Sequence, residues 1–146
     1  AFLDLAAWPS SHAILPAVQR PASYVTWTPA VSAVLAGGYA SGANTVGSET
    51  WTYPVACRAG TWRADVVIRK TPASGIITAT FGGSALGTAD CYNATNSGDN
   101  NSALSTSFTV AADGTYDLVL TNPTKHASST GYVWHIQVIN LTRTGP

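Results

Sequence analysis

Apolar and polar residues alternate strictly through much of the second half of the chain. After Gly60, the residues Trp62, Ala64, Val66 and Ile68 fall on one face, while Thr61, Arg63, Asp65 and Arg69 fall on the other. A period of two is the mark of a half-buried antiparallel strand, because successive side chains of an extended backbone point to opposite faces. Thr71-Pro72-Ala73-Ser74-Gly75 breaks the run, since Pro cannot donate to a ladder and Gly tolerates positive φ. Ile77, Ala79 and Phe81 then alternate with Thr78 and Thr80, and Gly82-Gly83 predicts a hairpin into a return strand opening at Ala85-Leu86.

The same grammar continues. Leu104, Thr106, Phe108 and Val110 alternate, Asp113-Gly114 turns the chain, and Tyr116, Leu118 and Leu120 face inward on the next strand. Asn93 to Ser102 has no apolar period and reads as a polar loop; Asn122 to Gly131 reads as another. A last strand is predicted from Tyr132 to Val138, where the adjacent Val138-Ile139 and then Leu141 break the alternation, as a bulge or a strand covered on both faces would. Gly60-Thr61-Trp62 and Gly114-Thr115-Tyr116 echo each other as strand openings that supply aromatic plugs to one core. Short strands with turn signals about every 8–12 residues predict an all-β protein, a jelly-roll-like antiparallel β-sandwich.

The first 57 residues differ. Pro9, Pro16, Pro21 and Pro29 recur too closely for a long helix or a central strand. Residues 1–23 are therefore expected as an extended arm and residues 24–146 as the sandwich, with Tyr24 to Trp27 as a first strand and Trp51 to Val55 as an edge strand. Val31 to Ala36 fits a short helix or a strand. The arm's Phe2, Leu3, Leu5 and Trp8 are the candidate interface, either against a partner or folded back on the same domain. Burial of each contributes roughly 1.5–3 kcal/mol.

Composition sharpens this picture. The 146 residues suffice for one core and not for two ordinary domains. Seven basic and seven acidic residues leave no cationic excess, which argues against nucleic acid as a partner. No apolar run approaches the ~20 residues that span a bilayer. The first ten residues carry Asp4 and no Lys or Arg, unlike a secretory signal, and Ala1 reads as following a removed initiator Met. A single Glu and two Lys against 33 Ser and Thr favour strand over helix, and the sparse charge leaves the surface poorly protected against self-association.

Little catalytic chemistry is visible. One Glu and six Asp offer a thin supply for the paired carboxylates of a glycosidase, and Asp65 and Asp117 fall on outward strand faces. His12, His126 and His135 have no metal-ligand spacing and read as surface residues. Asp90, Asn93, Asp99 and Asn100 are oxygen donors of the kind that hold calcium, but such residues also favour loops for backbone reasons. Neither a catalytic residue nor a cofactor or metal site is assigned, and the chain is expected not to be an enzyme. Cys57 and Cys91 fit two partly buried free thiols better than a disulfide across the sandwich. Aromatic faces stack on sugar rings and amides bond their hydroxyls. Trp51, Tyr92 and Trp134, with Asn93 and Asp99, are accordingly the candidate glycan contacts, against ordinary packing as the blander expectation.

Several segments carry a family likeness. Gly60-Thr61-Trp62 with Val67-Ile68-Arg69-Lys70, Gly75-Ile76, Gly87 to Tyr92, Phe108-Thr109-Val110, Ala127 to Tyr132 and Ile139 to Gly145 resemble the C-terminal β-sandwich domain of minor tail proteins of phages infecting actinobacteria. The likeness covers roughly residues 58–146. It implies a non-enzymatic virion surface module, assembled in the bacterial cytoplasm, trimeric, contacting other virion proteins and host-envelope glycan. Those tail proteins carry long N-terminal regions where this chain has a short Pro-spaced arm, which leaves minor tail, fibre and capsid decoration all open. The alternative is a stand-alone carbohydrate-binding module.

Overall fold

A computed structural model describes residues 9–30, 38–43, 49–95 and 98–146. Its strands, in chain order, are β1 (Ser11–Ile14), β2 (Thr28–Ala30), β3 (Tyr39–Ser41), β4 (Thr50–Cys57), β5 (Gly60–Lys70), β6 (Gly75–Phe81), β7 (Ser84–Asp90), β8 (Gly98–Val110), β9 (Gly114–Lys125) and β10 (His135–Gly145). They form two antiparallel sheets, one ordered β2-β3-β10-β5-β8 with β1 also on β10, the other β4-β9-β6-β7. β3 and β1 share one side of β10: β3 meets His135 and Ile136, and β1 meets Ile139 to Thr142. This is the antiparallel β-sandwich that the alternation predicts.

The inward faces are the expected ones. Trp62, Ala64, Val66 and Ile68 are fully or almost fully buried, opposite Ile77, Ala79, Phe81, Leu118 and Leu120. Phe81 and Phe108 pack with ring centroids 4.8 Å apart, and Tyr116 is half-buried against Phe81 at 5.6 Å. The Gly82-Gly83 hairpin forms with φ of 57° and 84°, a conformation that β-carbons disfavour. The bulge falls at Gln137, where the β10–β5 register slips between Ile136 and Val138. That slip turns Ile139 and Leu141 inward after Ile136, which reconciles the broken alternation with a single buried face.

Other boundaries move. Ser11–Ile14, expected in the arm, is a sheet strand, because β10 is longer than β3 and leaves Ile139 to Thr142 for it to pair with. Tyr24 to Trp27 is not a strand; only Ser23 makes a bridge, to Thr52 on the edge strand β4. The polar loop ends early, since β8 already pairs with β5 at Gly98 and Asn101. Backbone hydrogen bonding there proceeds without an apolar face, which is why periodicity misses it. Phe2, Leu3, Leu5 and Trp8, and Val31 to Ala36, lie outside the described residues.

Candidate functional site

One end of the sandwich gathers the β5–β6, β7–β8 and β9–β10 connections; the opposite end holds the Gly82-Gly83 and Asp113-Gly114 turns. At the first end, short parallel bridges sew the loops together. The Thr71 N–H donates to the Cys91 carbonyl (3.1 Å), and the Asn93 N–H returns to the Thr71 carbonyl (3.2 Å). The Gly75 N–H donates to the Val133 carbonyl (2.9 Å), and the buried Ser129 hydroxyl donates to the Ser74 carbonyl (2.7 Å). Gly75 is required by proximity: a β-carbon there would sit 2.7 Å from the Tyr132 carbonyl oxygen.

This sewing positions two aromatic pairs. The half-buried Tyr92 ring stacks on His126 with centroids 4.3 Å apart and planes 6° apart. Beside it, the Lys125 ammonium lies 5.3 Å from the Tyr132 ring centre and donates to the Ser129 carbonyl (2.9 Å). The exposed Asp90 carboxylate accepts the Tyr92 N–H (3.0 Å) and so closes the turn that carries Tyr92 and Asn93. Among the described residues no enclosed pocket forms.

Of the five candidate glycan contacts, the structure brings Tyr92 and Asn93 to this end. Asp99 lies one residue into β8, whose first residue pairs with Lys70 at the same end. Trp51 and Trp134 are corrected: both are fully buried, edge to face, 5.1 Å apart, and unavailable to a sugar. Trp51 is inward because Trp51, Tyr53, Val55 and Cys57 alternate on β4, a signal present in the sequence, and its indole N–H donates to the Thr26 carbonyl (2.7 Å). Trp134 is sealed by Gly42, where a β-carbon would lie 2.2 Å from the indole nitrogen.

The reading of the histidines as surface groups is also corrected. His12 Nε2 bonds the Ala56 carbonyl (2.7 Å), joining β1 to β4 of the other sheet. His135 Nδ1 pairs with the Ser41 hydroxyl (2.6 Å), and burial, assisted by Arg69, pushes its pKa down to about 4. His126 is half-buried beneath Tyr92. Cys57 and Cys91 are free and buried, at opposite ends of their sheet, which rules out their pairing. Burial raises the Cys57 thiol to about 11; burial and then Asp90 raise Cys91 to about 12.

The lone glutamate, which the sequence offers only as one member of a thin carboxylate supply, is a structural hub. Glu49 is fully buried, and its carboxyl accepts the N–H groups of Val25 (2.9 Å), Thr26 (2.9 Å) and Ala43 (3.3 Å) together with the Thr26 hydroxyl. Its own N–H donates to the buried Asn122 side chain (3.2 Å), which in turn donates to the Ala43 carbonyl (3.2 Å). A single Glu between Ser48 and Thr50 carries no sequence motif from which this could be read.

No protein-family model and no curated protein matches the sequence. Solved structures match in fold. A Paenibacillus xanthan lyase superposes with a TM-score of 0.68 at 21% identity over 84% of this chain, which spans 12% of that enzyme. The carbohydrate-binding module CBM6cm-2 of Cellvibrio mixtus lichenase 5A, solved with cellotriose, matches with a TM-score of 0.56 at 13% identity, covering 91% of this chain and 97% of that one. A family 35 carbohydrate-binding module from an environmental isolate matches with a TM-score of 0.54 at 18% identity, covering 92% and 94%. At these identities the likeness establishes a shared β-sandwich fold.

Proposed function

We propose that this chain is a non-catalytic carbohydrate-binding module that meets its saccharide at the loop end. The observation that carries this reading is the convergence of Tyr92, Asn93 and His126 on loops fastened at successive points to the sandwich. A ring held by a stacking neighbour offers a pre-oriented apolar face to the C–H face of a pyranose, so little side-chain freedom is lost on binding. The Asn93 amide supplies a donor and an acceptor of the kind that sugar hydroxyls use, while the Thr71 and Thr130 hydroxyls hold the loops themselves, bonded to Ser74 (2.7 Å) and to the Pro72 carbonyl (3.4 Å). The fold supports the reading, since neighbours of this architecture are carbohydrate-binding modules, one solved with cellotriose and another with calcium and xylotriose.

The carboxyl groups described at this end also favour binding over hydrolysis. Asp90 closes a turn and Glu49 is engaged by backbone donors, so neither is placed as half of an acid–base pair. The resemblance to phage minor tail proteins has no counterpart among the neighbours described above, and saccharide binding accounts for the loop end without it. Calorimetric titration with cellotriose and xylotriose tests the proposal. Tyr92→Ala is expected to weaken binding about tenfold with little change in Tm; unchanged affinity would contradict it.

A further inference from the structure

Away from the loop-end aromatics, the most exposed large apolar side chains among the described residues fall in one short segment: Val18 (69% exposed), Tyr24 (39%) and Val25 (66%). Trp27, half-buried, lies 6.3 Å from Tyr24 with the two rings tilted by 56°. Between β1 and β2 this segment has no regular strand, yet it is fastened repeatedly along the free edge of β4. The Ala22 N–H donates to the Thr52 carbonyl (2.8 Å), the Thr52 N–H to the Ser23 carbonyl (3.0 Å), and the Tyr53 hydroxyl to the Gln19 carbonyl (2.7 Å). The Trp27 indole N–H donates to the Pro16 carbonyl (2.8 Å), which ties the turn bearing Val18 to the ring. Beneath, Glu49 grips the Val25 and Thr26 N–H groups.

That combination is unusual for a connecting loop. Burying a carboxyl is costly unless its oxygens are well bonded, and here the bonds go to the backbone that displays Tyr24 and Val25. The result is a pre-organised apolar knuckle facing solvent rather than a segment folded inward. Resting on the saccharide-binding reading above, we propose that Tyr24, Val25 and Trp27 form a second contact surface for a neutral polysaccharide chain, at the β4 edge of its sheet, across from the β7 edge that leads into Tyr92.

Size and charge favour this occupant. Two exposed side chains and one half-buried ring present far less than the ~800 Å² each partner contributes to a stable protein–protein interface, whereas one or two pyranose rings would cover them. Residues 15–30 carry a single charge, Arg20, and the exposed neighbours Ser23 and Thr28 are hydroxyls. Such a surface suits a ligand with an apolar C–H face and a hydroxyl rim, and it offers no carboxylate or cationic cluster for a charged partner.

The test uses the full chain with cellohexaose and xylohexaose, read by calorimetry and by the Trp27 indole N–H resonance. Tyr24→Ala is expected to weaken binding about fivefold and to abolish the ligand-induced shift at Trp27, with Tm unchanged. Tyr24→Phe, which keeps the ring, is expected to bind as the parent does. Wild-type affinity in Tyr24→Ala, alongside loss of binding in Tyr92→Ala, would overturn this proposal and leave the loop-end site standing. Absence of binding by the parent chain to both hexaoses would overturn both.

Discussion

His135 is the side chain whose ionisation the fold alters in a way that can be measured as stability. Its folded pKa of about 4 lies below the ordinary 6.5, so the unfolded chain takes up the proton first. The stabilisation is therefore complete above pH 6.5, declines as pH falls toward 4, and is flat below. The full effect is on the order of 2–3 kcal/mol. Urea denaturation between pH 7 and 4 should show this loss, and His135→Phe should flatten the profile over that window. The cysteines give a second residue-scale expectation. Buried thiols with pKa values raised to about 11 and 12 carry almost no thiolate at neutral pH. Native protein should leave Cys57 and Cys91 unmodified by Ellman's reagent, with both reacting in denaturant; rapid modification of the native chain would contradict their burial. Trp51 and Trp134 complete the scale. Either replaced by Ala should cost about 3–5 kcal/mol of stability by opening the core, read by chemical denaturation.

At the scale of elements, legibility followed chemistry. Strands with one apolar face could be read directly: the inward Trp62, Ala64, Val66 and Ile68 of β5, the Gly82-Gly83 hairpin, and the interruption in β10 that proves to be a bulge. What could not be read was structure made by backbone pairing alone. β8 begins at Gly98 in a run of Asn and Ser with no periodicity, and β1 is four residues preceded by Pro9 and followed by Pro16, so neither offers a pattern to detect. The glycan candidates divided along the same line: Trp51 and Trp134 are core because of register, while Tyr92 and Asn93 reach the loop end because bridges to Thr71 carry them there. β1 has a direct consequence. Its ladder on Ile139 to Thr142 and the His12 bond to Ala56 make Ser11–Ile14 part of the sandwich. Removing residues 1–20 should therefore lower Tm markedly rather than release an independent arm, whereas a truncation with unchanged Tm would show β1 to be dispensable.

The whole molecule divides into a two-sheet body and one end elaborated by loops. The sheets bury the aromatic bulk, the turn end closes with the Gly82-Gly83 hairpin and the Asp113-Gly114 crossover between sheets, and the loop end converts sequence with little periodicity into a fixed surface through bridges and a buried glutamate. The folded chain exposes 7121 Å², close to the ~7,100 Å² expected of a compact protein of this mass. The most direct test of saccharide binding at the loop end is mapping backbone amide shifts during titration with cellohexaose or xylohexaose. Shifts should appear at residues 71–75, 90–95 and 126–133, alongside those expected at residues 24–27. Silence there, or shifts confined to the turn end around Gly82-Gly83 and Asp113-Gly114, would contradict the assignment.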